Sequence, residues 1–163
     1  LDHVNVSGGA DKDYVLEANG AGVAVLDLGA DGDLDLVFAQ GLDSLERVVT
    51  GPGADLEVFV NDGEGHFARA AGPGLSGWWT GLAAGDVDGD GRSDVVAGGF
   101  GRLVLLLQTA DGGLAPAGEL FAPEERWIPG GALPEGPPPW VSSVALFDAD
   151  GDGDLDLLSL IHI

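Results

Sequence analysis

Asp86-Val-Asp-Gly-Asp-Gly-Arg-Ser-Asp94 places carboxylates at positions 1, 3, 5 and 9 of a nine-residue loop and leads directly into the apolar run Val95-Val-Ala97. The spacing returns at Asp148-Ala-Asp-Gly-Asp-Gly-Asp-Leu-Asp156, before Leu157-Leu158. A weaker copy stands at Asp27-Leu-Gly-Ala-Asp-Gly-Asp-Leu-Asp35, before Leu36-Val-Phe38. The first aspartates fall at 27, 86 and 148, in steps of 59 and 62 residues. The flanks repeat as well. Gly22-Val-Ala, Gly81-Leu-Ala and Ser143-Val-Ala each put a small residue, an aliphatic and an alanine ahead of the loop. A fixed internal period of this kind is the mark of a repeat architecture.

Each unit reads as short strands. In the first, Val23–Leu26, Leu34–Ala39 and the alternating Leu56–Val60 are followed by the turn Asn61-Asp-Gly-Glu-Gly65, whose chemistry suits a hairpin, and by His66–Ala70 as the returning strand. In the second, Arg102–Gln108 is the third strand, Ala110–Gly113 the turn, and Leu114 begins the return. The third unit stops after its second strand, and the closing Leu158-Ser-Leu-Ile-His-Ile163 departs from the small-residue pattern of Ala97-Gly-Gly99. Four strands per unit predict an all-β fold, a β-propeller fragment with four-stranded blades and about three repeats, the last truncated. The repeats are placed at 20–71, 79–121 and 141–163 within a single partial propeller over 1–163. The extra length of each unit sits in an insertion at Gly41–Gly53, with one helical turn expected at Ser44–Val48, and in the proline-rich Pro129–Pro139.

Composition narrows the function classes. Six basic residues against 28 acidic give a net charge of −22, and nearly half of the acids lie in the three loops. A surface this acidic repels phosphate backbones and anionic headgroups, so neither nucleic acid nor a membrane is expected as a partner. There is no cysteine, hence no disulfide framework and no thiolate metal site. No run reaches the about 20 apolar residues of a membrane span. The chain holds no methionine, which reads as a piece of a longer protein with further propeller blades. GxSxG, GxxxxGK[ST] and CxxC are all absent. His3, His66 and His162 are scattered, with no HExxH spacing. No catalytic residue and no enzymatic activity are expected. Trp79 and Trp140 stand seven and eight residues ahead of Asp86 and Asp148 and are expected to be equivalent blade-packing positions.

The loops carry the chemistry. Calcium takes six to eight oxygens, largely carboxylates and carbonyls, at about 2.3–2.6 Å. Aspartates at positions 1, 3, 5 and 9 supply four side chains around one centre. The peptide oxygen at position 7, from Arg92 or Asp154, can add another. Glycine at position 6 (Gly32, Gly91, Gly153) lets the backbone turn with positive φ. Acidic Asp/Gly turns are often only solvated hairpins. Three at near-equal spacing, holding like charges that repel unless a cation joins them, favour the metal. An EF-hand needs a bidentate Glu at position 12, where this chain has Phe38, Ala97 and Ser159.

Gly85-Asp-Val-Asp-Gly-Asp-Gly-Arg-Ser-Asp-Val-Val-Ala-Gly-Gly99, with Asp148–Leu157 and the hairpin Asn61–Phe67, resembles the FG-GAP repeat of integrin α-subunit propellers and the related bacterial VCBS repeats. The opening Glu17–Asp27 is similar to the first blade of secreted bacterial proteins of the cartilage-acidic-protein-like, ASPIC/UnbV-associated type. The resemblance implies that Asp86, Asp88, Asp90, Asp94 and the Arg92 carbonyl hold one Ca²⁺. It implies that Asp148, Asp150, Asp152, Asp156 and the Asp154 carbonyl hold a second. Asp27, Asp31 and Asp35 would hold a third more weakly, because Gly29 stands at position 3. It further implies an extracellular, periplasmic or cell-surface protein that recognises or adheres to a protein or glycan ligand. A propeller supporting a secreted polysaccharide lyase or hydrolase is the alternative, and a structural spacer a third.

Overall fold

The computed structural model describes residues 1–10, 19–43, 53–121 and 139–162. The helical turn expected at 44–48 and the proline-rich loop up to residue 138 lie outside them. Among the described residues there is no helix. The described residues form ten strands in three antiparallel sheets. The first has the order β1 (Val23–Leu26), β2 (Asp35–Phe38), β3 (Glu57–Asn61) and β4 (Phe67–Ala70). The second repeats the plan with β5 (Trp79–Gly85), β6 (Asp94–Gly99), β7 (Arg102–Gln108) and β8 (Leu114–Phe121). The third pairs β9 (Trp140–Phe147) with β10 (Asp156–His162). These are meander sheets of the kind that form propeller blades.

All three aspartate loops are the hairpin connection between the first and second strands of a sheet, and they close at one register. Position 9 pairs with the residue just before position 1: Leu26 with Asp35, Gly85 with Asp94, and Phe147 with Asp156. The repeat seen in the sequence is thus a repeat of backbone pairing. Alternation along the strands decides which side chains are buried. In β1, Ala24 and Leu26 point inward while Val23 and Val25 are exposed. Strand β6 differs, because every residue in it is buried. Val95 and Ala97 join Leu26, Val37, Val58 and Leu106 in the core between the first two sheets. Val96 faces the other way and packs on Leu103, Val141 and Val144 against the third sheet. A middle sheet covered on both sides accounts for the unbroken apolar run after Asp94.

The first strands of the three sheets, β1, β5 and β9, lie side by side, close enough to explain the small residue that recurs before each loop. A Cβ on Gly81 would come within 3.0 Å of the Ser143 backbone, and one on Gly22 within 3.0 Å of the Thr80 carbonyl. Thr80 ties this seam together. Its carbonyl accepts the Gly22 N–H at 2.7 Å. Its hydroxyl donates to the Val141 carbonyl at 2.6 Å and accepts the Trp140 indole N–H at 3.1 Å. Trp79 and Trp140 each open the first strand of their sheet and both are buried, as expected. Trp79 belongs to the core between sheets one and two, donates its indole N–H to the Ala54 carbonyl, and carries the Arg102 guanidinium over its ring. Trp140 packs with Trp78 and Leu42.

The N-terminal segment has no counterpart in the repeat. The His3 ring stacks on Phe38 at 4.1 Å between centroids, and its Nδ1 lies 2.7 Å from a Glu57 carboxylate oxygen. Gln40 brackets the same segment, accepting from the Val6 N–H and donating to the Val4 carbonyl. Residues 3–8 therefore cover part of the first sheet's outer face, which the sequence did not announce.

Candidate metal centre

Each loop is folded by its own aspartates. The carboxylate at position 1 reaches forward to the N–H groups of positions 4 to 6. Asp86 accepts from Gly89, Asp90 and Gly91 at 2.8, 3.1 and 2.9 Å. Asp148 accepts from Gly151 and Gly153 at 2.7 and 3.1 Å. Asp27 accepts from Asp31 and Gly32, both at 3.0 Å. Shorter Asx turns follow, as Asp88 receives the Asp90 N–H and Asp150 the Asp152 N–H. Position 6 has positive φ in every loop, at 91° for Gly32, 86° for Gly91 and 98° for Gly153. Position 4 is also left-handed. It is Gly89 and Gly151 in the two stronger loops but Ala30, at φ 55°, in the first. Alignment of the three loops at position 4 would have exposed that mismatch.

This folding brings carboxylates together. One oxygen each from Asp86, Asp88 and Asp90 lies within 4.8 Å of the others, and the same holds for Asp148, Asp150 and Asp156. Oxygens on opposite sides of one calcium ion stand about 5 Å apart. Both trios thus fit a single hard cation with oxygen ligands. Two carboxylates at such a distance repel by about 1 kcal/mol in water-like surroundings. In the second loop the repulsion is eased by Arg92, whose guanidinium pairs with Asp90 and donates to the Gln108 carbonyl. The third loop has Asp154 at that position. The first loop forms no trio among the described residues. Its Asp33 lies against Gly63 of the β3–β4 hairpin, where a Cβ would meet the Asp33 carboxylate at 2.6 Å.

Position 9 has a second employment that spacing alone did not disclose. Asp35 and Asp94 are each only 1% exposed. Asp94 accepts the Val87 N–H on one oxygen and the Gln108 N–H on the other, both at 2.9 Å. Asp35 does the same with Leu28 at 2.7 Å and Asn61 at 2.8 Å. These carboxylates strap the start of the loop to the end of the third strand. Asp156 accepts the Ala149 N–H, and no third strand stands beside it among the described residues. It joins Asp148 and Asp150 instead. Asp152 lies outside that trio, with its carboxylate on the Asp154 N–H.

A family model described as the FG-GAP-like repeat matches residues 44–97 and 86–159. The chain belongs to the FG-GAP-like repeat family. Both matches end at position 12 of an aspartate loop, so the FG-GAP-like unit closes on the strand that follows the acids. No curated protein matches the chain significantly. Outside the FG-GAP-like loops, Asp62, Glu64 and His66 form a further group with side-chain atoms within 4.8 Å. The sequence showed it only as a turn. Asp62 accepts the Glu64 and His66 N–H groups at 2.9 and 3.1 Å, which holds its carboxyl below the usual range. Those bonds close the β3–β4 hairpin.

Proposed function

We propose that this chain is a calcium-binding β-propeller segment of an exported protein, and that the propeller serves recognition or adhesion toward a protein or glycan. The observation that carries the metal reading is the convergence of three carboxylate oxygens in each of two loops, on a fold of the FG-GAP-like family. Asp86, Asp88 and Asp90, with Asp94 and the Arg92 carbonyl beside them, would hold one ion. Asp148, Asp150 and Asp156, with Asp152 and the Asp154 carbonyl, would hold another. Asp27, Asp31 and Asp35, expected to hold a third, do not converge in the same way, so the reading is carried by the other two loops. Bound calcium supplies charge neutralisation and a fixed centre for each bend; the chain's own residues shape the loops and stack the sheets. Loops without a bidentate Glu at position 12 suit the millimolar calcium outside cells, which supports an extracellular or periplasmic setting. The role is non-enzymatic, in keeping with a sequence that carries none of the common catalytic motifs.

Calorimetric titration of Ca²⁺ into the full chain tests the metal reading. Heat of uptake and a melting temperature lowered by EDTA are expected; absence of both would end it. A glycan and protein-binding screen with and without chelator tests recognition, and capture that depends on calcium is the expected result.

A further inference from the structure

We propose that a cavity between the first two sheets is a recognition pocket for a lysine side chain presented by a partner protein. The proposal deepens the recognition reading above, on which it rests, and names the class of partner; it does not depend on bound calcium. The cavity has a volume of about 250 Å³ and opens where the core between sheets one and two reaches solvent. Leu28, Val58, Val60 and Leu114 line it, each a member of that core or packed against it. The sequence leaves it open by supplying only small side chains beside them. The short β4 ends in Ala70, Ala71 follows, and both are exposed parts of the lining. Asp111 is the one charged residue among the described residues that line it.

The walls are fixed by the protein itself. Gln108, only 3% exposed, bridges from the end of β7 to the first loop. Its amide donates to the Asp27 carbonyl at 2.9 Å and its side-chain oxygen accepts the Gly29 N–H at 3.2 Å, which ties the backbone on either side of Leu28. The β7–β8 turn that carries Asp111 is closed by Thr109, which donates its N–H to the Gly113 carbonyl and accepts the Gly112 N–H, both at 2.9 Å. The tip of that turn rests on the first loop, so that a Cβ on Gly112 would lie 3.2 Å from the Gly29 backbone. The Thr109 hydroxyl donates to one Asp111 oxygen at 2.5 Å and, with backbone N–H groups of the turn, keeps the carboxyl ionised at neutral pH. An apolar cleft with a single carboxylate discriminates among occupants. A sugar would leave hydroxyls unpaired against Leu28, Val58 and Val60, which is costly. An aliphatic side chain would leave the Asp111 charge unanswered. An arginine fork is matched by two carboxylate oxygens, and Thr109 already holds one of them. A lysine lays its methylene stem along the apolar wall and brings its ammonium to a single acceptor. The net charge of −22 draws a basic partner toward the surface by long-range attraction.

The experiment titrates Nα-acetyl-lysine methylamide into the full chain in excess calcium and follows the Gly112, Gly113 and Leu114 amide signals by ¹H–¹⁵N NMR. The matching norleucine and arginine derivatives and a methyl glucoside are run beside it. The lysine derivative is expected to shift the three signals saturably, with a midpoint of about a millimolar, the affinity that a ligand of its size reaches at ordinary efficiency. The norleucine derivative, equal in stem and without the charge, is expected to bind about three- to fivefold more weakly, the worth of one exposed ion pair. Asp111→Asn should bring lysine down to the norleucine level. Ala71→Phe, which fills the cavity from an exposed position, should abolish the binding of both. Norleucine binding as tightly as lysine, arginine binding more tightly, lysine indifferent to Asp111→Asn, or no saturable shift from lysine each overturns the proposal. So does a shift from the glucoside alone, which would pass the cavity to a glycan. Should Asp111→Asn disturb the fold, Ala71→Phe decides alone, and lysine binding unchanged by it overturns the proposal. The protein-binding screen reads the wider recognition claim separately. A partner captured equally by the parent and by Ala71→Phe removes the pocket and leaves recognition standing.

Discussion

Replacement of Asp94 by asparagine separates the two employments of position 9. The carboxylate is buried at 1% exposure and accepts the Val87 and Gln108 N–H groups, each at 2.9 Å. An asparagine of the same shape keeps one accepting oxygen and turns an NH₂ group toward the other N–H. Hydrogen bonds to a charged group contribute about 1.5–3 kcal/mol each, so losing one and weakening the other should cost about 3 kcal/mol. For a chain of this size that lowers the melting temperature by about 6–12 °C. Urea unfolding followed by tryptophan fluorescence, run in excess calcium and again in EDTA, measures it. The loss should appear in both conditions, because the strap joins backbone to carboxylate without any ion. Asp35→Asn should behave alike. Asp156→Asn, which leaves one backbone bond at an exposed site, should cost clearly less in EDTA. If Asp94→Asn destabilises only in calcium and is neutral in EDTA, the strap argument is wrong and Asp94 acts through a cation alone.

Three further predictions come from the loops and hairpins. Calcium titrated into single-loop variants should show tighter binding at the Asp86–Asp88–Asp90 trio than at the first loop; tightest binding at the first loop would contradict the geometry. Ala30, held at φ 55°, should tolerate Ala30→Gly, while the β-branched Ala30→Val should lose about 1 kcal/mol or more in urea melts. Equal losses would mean that the left-handed position is not strained. Asp111 accepts the Thr109 hydroxyl at 2.5 Å, and that bond leads the causes that hold its carboxyl below the usual aspartate value. Its contribution to the β7–β8 turn is therefore present at neutral pH and is lost as pH falls through the lowered value. Carboxyl NMR should place the midpoint below that of a free aspartate and move it upward in Thr109→Ala; an unmoved midpoint assigns the shift elsewhere.

Much of the blade plan was legible because it rests on local rules. Alternation in Leu56–Val60 and the aspartate spacing each specify a strand or a hairpin within about ten residues. Gly29 alone marked the first loop as the copy that lacks a carboxylate at position 3. What escaped depends on neighbours distant in the chain. Nothing local in His3 tells that it stacks on Phe38, and nothing in Asp94 tells that its carboxylate is buried against Gln108. Asn61 and Gln108 look like ordinary strand-ending amides, and only the stacking of two sheets reveals that one of them bridges. Asp62, Glu64 and His66 come together through the bonds that close their own turn, and reading that segment as a hairpin overlooked the side chains it gathers.

The seam at Thr80 has a consequence for motion. One threonine takes the backbone proton of Gly22 from one layer and holds both the Val141 carbonyl and the Trp140 indole of another. Neither outer layer can peel away without breaking bonds at that same residue. Deuterium uptake at the Gly22 amide should therefore report the first sheet parting from Thr80, and uptake at the Trp140 indole the third sheet parting from it.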